Sequence, residues 1–262
     1  MNSSFKIGKI AGIEIGVHWS WLFIFGLITW SFATGILEEF FPQWPEARRW
    51  AVGVIVAVIF FASILLHELS HSLVAKARGI PVKGITLFIF GGVSNLGREA
   101  QSAGEEFQIA IVGPLTSLAI GAVFAILWVT LRIPWPDVAA IAGYLAFING
   151  VIAAFNMLPG FPLDGGRVFR SFVWWRNRDL LRATRTASRV GAFVAYALMA
   201  GGALQFVLFN PIGGVWMFLI GLFLRNASST SYEQMVLQTA LEGVSAAELA
   251  RADFVPVSPE MT

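Results

Sequence analysis

Apolar runs too long for a soluble core constrain this chain more than any other feature. Stretches with few or no charges fall at 17–37, 51–75, 106–131, 139–158, 190–209 and 212–224. A helix needs about 20 such residues to cross roughly 30 Å of hydrocarbon, so the first five qualify by length and the sixth is short. Only 13% of the 262 residues are charged and 56% are hydrophobic, against about 25% charged in a soluble domain. An ordinary cytosolic globule is excluded. The pattern predicts an all-α polytopic membrane protein with about six transmembrane helices. Residues 5–17 (FKIGKIAGIEIGV) differ: their alternation, punctuated by Gly8 and Gly12, predicts a small membrane-associated β-hairpin or sheet. No cleavable signal is expected, because the order of charged, apolar and small residues is missing. The expected division is a membrane domain over 1–225 and a cytoplasmic tail over 226–262. No internal repeat of the kind many transporters carry is visible.

Charge is distributed unevenly between alternate connections. If all six segments cross, one side holds 15 of the 18 Lys and Arg, and the other only Arg48, Arg49 and Arg132. That asymmetry predicts a multi-pass protein with both termini in the cytoplasm. Trp19, Trp21, Trp174 and Trp175 then lie near the inner boundary and Trp44, Trp50, Trp128 and Trp135 near the outer one, as interfacial belts require. A net charge of +2 is too small to suggest nucleic acid, which leaves the lipid bilayer as the surrounding partner. With no cysteine, disulfides, thiolate nucleophiles and Cys-based zinc sites are excluded, and any transition metal must be held by His and carboxylate.

Two of the three histidines stand four apart in His67-Glu68-Leu69-Ser70-His71, inside an apolar run free of Pro and Gly. At helical pitch both imidazoles share one face and can meet one zinc ion, with Glu68 beside them. Zinc lowers the pKa of a bound water toward about 7, and a neighbouring carboxylate can take the proton. The plainer alternative is a pair of packing histidines with a surface glutamate. Against it, each ionisable residue at membrane depth costs about 2.5 kcal/mol or more, so three together call for a compensating ion.

A catalytic zinc site wants three protein ligands and an open position. His18, followed by Trp19 at a predicted boundary, is either a ligand or an interfacial residue. Asp164 stands directly after an apolar span in the sequence NMLPGFPLDGGR, where two prolines and three glycines must break the helix. Irregular backbone at that depth is tolerated where it is buried in protein or lines a polar cavity. Asp164 is therefore either a third ligand or an N-cap of the segment that follows. Both motifs reach the same depth if spans two and four run inward.

HExxH in a membrane span, followed about 90 residues later by N-x-x-P-x-x-P-L-D-G, resembles the site-2 protease family of intramembrane zinc metalloproteases. The similarity extends to the opening FKIGKIAGIEIGVHWSWL and to Gly113-Pro114-Leu115. The resemblance implies one Zn²⁺ per chain held by His67, His71 and Asp164, with Glu68 as general base. Asn156 matches the asparagine that would orient substrate or steady the oxyanion. The implied activity is regulated intramembrane proteolysis in a prokaryotic plasma membrane. Its substrate would be a single-span protein, of the membrane-tethered signalling or anti-sigma kind, cut in or near its transmembrane segment. The rivals are a membrane metal transporter using the same four residues as a transit site, and a zinc hydrolase acting on a non-protein substrate.

Residues 84–96 (GITLFIFGGVSNL) read as a strand or re-entrant hairpin beside the catalytic helix. A transmembrane substrate must be unwound before hydrolysis, and a strand edge would pair its freed backbone. Ile85, Leu87, Phe88, Ile89 and Phe90 are the expected substrate-binding residues, against the alternative of a hairpin that only packs on the bundle. From about Leu241 the tail is similar to the first helix and strand of a CBS domain, and stops before such a domain could close. A PDZ-like insertion is not expected.

Overall fold

The protein is described by a computed structural model covering residues 5–241. Two short strands come first, β1 (Phe5–Ile10) and β2 (Ile13–Val17), paired antiparallel with Ile10 opposite Ile13. The intervening turn is Ala11-Gly12, both at positive φ (52° and 79°), which the right-handed twist of a two-residue hairpin demands. Lys6 and Lys9 of β1 both reach Glu14 of β2, at 2.9 and 3.1 Å.

The first apolar run is helical from Ser20 to Phe40 in three parts: α1 (Ser20–Ser31), a π-helical turn at Phe32–Ile36, and α2 (Leu37–Phe40). α3 (Glu46–Ala77) follows, then β3 (Val82–Phe88) and β4 (Gly91–Leu96), then α4 (Ala103–Leu131), α5 (Pro136–Asn156) and the short α6 (Asp164–Asn177). α7 (Leu180–Leu208) and α8 (Pro211–Leu241) complete the order. Among the described residues, six helices are long and apolar enough to cross a membrane: Ser20–Phe40, α3, α4, α5, α7 and the Pro211–Leu237 part of α8. Many of their large apolar side chains point outward, among them Phe23, Ile55, Leu118, Ile126, Phe193 and Val207. Outward apolar faces of this kind are ones that acyl chains would cover.

The four strands form one sheet in the order β1-β2-β3-β4. β2 and β3 are parallel, with Ile15 opposite Ile85, so their connection must cross over; the first span and α3 provide it. Ile13, Ile15 and Ile85 pack on Leu69 of α3, with Leu65 and Val82 at the margin. The sheet is thereby set against the helix turn that carries His67 to His71.

Several expectations are corrected. The fifth span begins at Leu180, ten residues before its apolar stretch, because Asp179 caps the helix by accepting from the Arg182 backbone N–H. Residues 226–241, expected as tail, continue α8. Hydropathy marks the part of a helix that sits in lipid, and nothing in Arg225-Asn226-Ala227 stops helical hydrogen bonding. The CBS-like reading of the tail lies outside the described residues, apart from its first residue, Leu241.

Candidate metal centre

α3 has no helix breaker between Gly53 and Gly79, so His67 and His71 stand one turn apart on one face, both nearly fully buried. Their outer ring nitrogens are held by α4. His71 Nδ1 donates to the Ile109 carbonyl at 2.5 Å, and His67 Nδ1 pairs with the Ser117 hydroxyl at 2.9 Å. Both Nε2 atoms are thus turned the same way, 3.2 Å apart. A hydrogen bond to the far nitrogen that fixes ring orientation is the usual support for a metal-binding imidazole.

Asp164 completes the group from α6. Its Oδ2 lies 3.0 Å from His67 Nε2 and 3.2 Å from His71 Nε2. The residue is the first of α6 and follows Leu163 at the N-cap, and its carboxylate looks to the histidines. The capping alternative therefore falls away. The break after Asn156 allows this: the turn 157–163 packs so closely on the start of α6 that a Cβ on Gly165 would stand 2.3 Å from the Met157 carbonyl carbon. Burial alone would push the Asp164 carboxyl up, but the hydrogen bonds and charges of His67 and His71 outweigh it and hold the group well below the usual carboxylate range.

Among the described residues, His67, His71 and Asp164 are the group able to hold a metal ion. Their three ligand atoms form a triangle with edges of 3.0 to 3.2 Å. Tetrahedral ligands about 2.0 Å from zinc stand about 3.3 Å apart, so the triangle fits such an ion. A fourth feature agrees. A Cβ added to Gly113 of α4 would lie 2.1 Å from His71 Nε2 and 2.7 Å from His67 Nε2, so a glycine is what lets α4 pass this close to both nitrogens.

Glu68 is half-buried on the adjacent face, where its Oε2 accepts from the Ser94 hydroxyl of β4 at 2.9 Å; Ser72 donates to Ser94 in turn. His18 stands apart from the triangle, its Nδ1 2.8 Å from the Ser20 hydroxyl. Asn156, at the end of α5, donates its amide to the Ile152 carbonyl.

The substrate strand needs correction. β3 is an inner strand, bonded to β2 on one side and β4 on the other, so Ile85, Leu87 and Phe88 offer no free edge and are buried. Ile89 and Phe90 form the hairpin tip, where the Ile89 N–H donates to Ser20 and Phe90 stacks on Phe223. Among the described residues, the edge strand next to Glu68 is β4. Pairing of β2 with β3 across two helices was not visible in the local pattern. Ile109, Gly113 and Ser117 were likewise missed as supports of the histidines, although Gly-Pro followed by Ser in an apolar helix was a signal. Nothing local marked Ser94.

Residues 55–134 and 132–200 match the sequence model of peptidase family M50. Rip3 of Mycobacterium tuberculosis, assigned as a zinc metalloprotease, is 41% identical over 255 residues, covering 96% of this chain and 64% of that protein. The zinc metalloprotease MJ0392 of Methanocaldococcus jannaschii is 28% identical over 268 residues, covering all of this chain and 70% of that one. The chain thus spans less than two thirds of Rip3. Its fold is similar to the solved site-2 protease from Methanocaldococcus jannaschii, with a TM-score of 0.61 and 26% identity over 87% of this chain and 94% of the other.

Proposed function

Because the chain belongs to peptidase family M50, we propose that it is an intramembrane zinc endopeptidase that hydrolyses a peptide bond in or beside the transmembrane segment of a single-span membrane protein. The observation that carries this reading is the buried His67–His71–Asp164 triangle with Glu68 one residue from a ligand. His67, His71 and Asp164 would hold a zinc ion, which would supply Lewis acidity at the scissile carbonyl and the attacking water. Glu68, next to His67 in the chain, is placed to take a proton from the attacking water and pass it to the leaving amine. Ser94 steadies the Glu68 carboxylate during both transfers. Asn156, whose amide rests on its own helix, is proposed to steady the carbonyl oxygen as charge develops there.

Substrate must reach this site unwound, since helical hydrogen bonds hide its carbonyls. The unpaired side of β4 is proposed to supply replacement partners. This strand also carries Ser94, so a segment lying along it would run past Glu68.

Co-reconstitution with candidate single-span proteins, with fragments mapped by mass spectrometry, tests the function. New termini are expected within or next to the apolar segment. Metal flux across the vesicle wall without any fragment would replace this reading with a transport site.

The orientation proposed is cytoplasmic for both termini in a plasma membrane, resting on the 15-to-3 asymmetry of Lys and Arg. Cytoplasmic reporters fused after residue 80 or 180 are expected to be active, and those after 45 or 135 silent. The reverse pattern would turn the site to the other side.

A further inference from the structure

Outside the metal triangle, the charged side chains buried among the described residues are Glu106 of α4, fully enclosed, and Arg170 of α6. They meet each other. Arg170 Nε donates to Glu106 Oε1 at 2.6 Å, and Nη2 converges on the same oxygen. Nη1 reaches the Thr184 hydroxyl of α7 at 3.4 Å, and the guanidinium lies over the Phe161 ring, 4.8 Å from its centroid. Phe161 belongs to the turn that delivers Asp164, and its carbonyl is held by Ser228 of α8. One side chain on α6 thus fastens α4, α7 and the turn.

Their place along the helices matters. Glu106 lies three residues before Ile109, whose carbonyl orients His71, and α4 also supplies Ser117 for His67. Arg170 lies six residues after Asp164, about 9 Å along the axis of the same helix. α4 therefore sets both histidines and α6 sets the carboxylate, while the ion pair sets α6 against α4. As a source of stability the pair is poor, because Glu106 Oε2 is buried with no partner among the described residues. An apolar pair of similar volume is often as stable as a buried ion pair or more so. What the pair supplies is direction: two N–H groups converging on one oxygen fix α6 in rotation and in height.

We propose that the Glu106–Arg170 pair is the positioning device of the metal centre, holding Asp164 at the distance from His67 and His71 at which all three can bind one divalent cation. This rests on those three residues being the metal ligands. Two variants test it: Arg170→Lys, which keeps the charge and loses the fork, and the double variant Glu106→Leu/Arg170→Met, which fills the space without charge. Leu145→Ala is the control, since Leu145 packs with Phe32 and Val56 away from the site.

Zinc-loaded protein in detergent is equilibrated against a competing chelator, and the visible spectrum of the Co²⁺-substituted protein reports ligand geometry. Thermal midpoints report stability. Both pair variants are expected to hold zinc about 10- to 100-fold more weakly and to change the cobalt spectrum. Leu145→Ala should lower the midpoint and leave zinc affinity and spectrum at wild-type values. If Arg170→Lys does not fold, the double variant decides alone. Wild-type affinity and spectrum in a folded pair variant would overturn the proposal, as would equal weakening in Leu145→Ala. A wild-type protein that binds no zinc would overturn the metal reading beneath it.

Discussion

Gly113→Ala is expected to empty the metal centre while leaving the helices assembled. The added methyl would stand 2.1 Å from His71 Nε2 and 2.7 Å from His67 Nε2, far inside van der Waals contact with both proposed ligand atoms. Neither imidazole can retreat, because Ile109 and Ser117 hold the opposite nitrogens. Within a helix, alanine is favoured over glycine by about 1 kcal/mol, so the secondary structure is not weakened by the change. Zinc per purified chain should fall from about one to less than a tenth of that, with unchanged helical circular dichroism. Full zinc in the variant would show that the ion does not sit at the His67–His71 face.

Glu68→Gln removes the proton acceptor and keeps the shape. The amide can still meet Ser94, and the proposed ligands His67, His71 and Asp164 are untouched, so zinc content should stay at the wild-type level. Hydrolysis should fall by about 10²- to 10⁴-fold, the range that a positioned general base contributes. Together the two variants separate the roles, since one loses metal and activity and the other loses activity alone. Near-wild-type cleavage by purified Glu68→Gln protein would return Glu68 to a surface residue.

What could be read in the linear sequence followed from how local each signal was. Two histidines four apart need only one unbroken helix to meet, and the apolar run around them guarantees that helix. Asp164 could be paired with them because Pro159 and Pro162 break the chain at a depth where a broken chain needs a reason. Its freedom from capping depended on Leu163 taking the N-cap position, which composition does not reveal. The hairpin at 5–17 was legible from alternation, whereas its parallel pairing with β3 was not, because nothing in residues 82–88 specifies which of two edges a distant strand will occupy. This is why Ile85, Leu87 and Phe88 read as an edge and are an interior strand. Nothing local pairs Glu106, at the start of the third apolar run, with Arg170, 64 residues further on. Their burial arises only when α4, α6 and α7 come together.

Removal and return of the metal tests the central claim most directly. Proteoliposomes holding the wild-type chain and a cleaved single-span protein are stripped with a chelator, assayed, and supplied again with Zn²⁺, with Asp164→Ala run in parallel. The account predicts that cleavage stops as zinc leaves, returns when zinc is restored to the wild type, and does not return in Asp164→Ala. Cleavage that continued in wild-type protein shown by metal analysis to hold no divalent ion would contradict it.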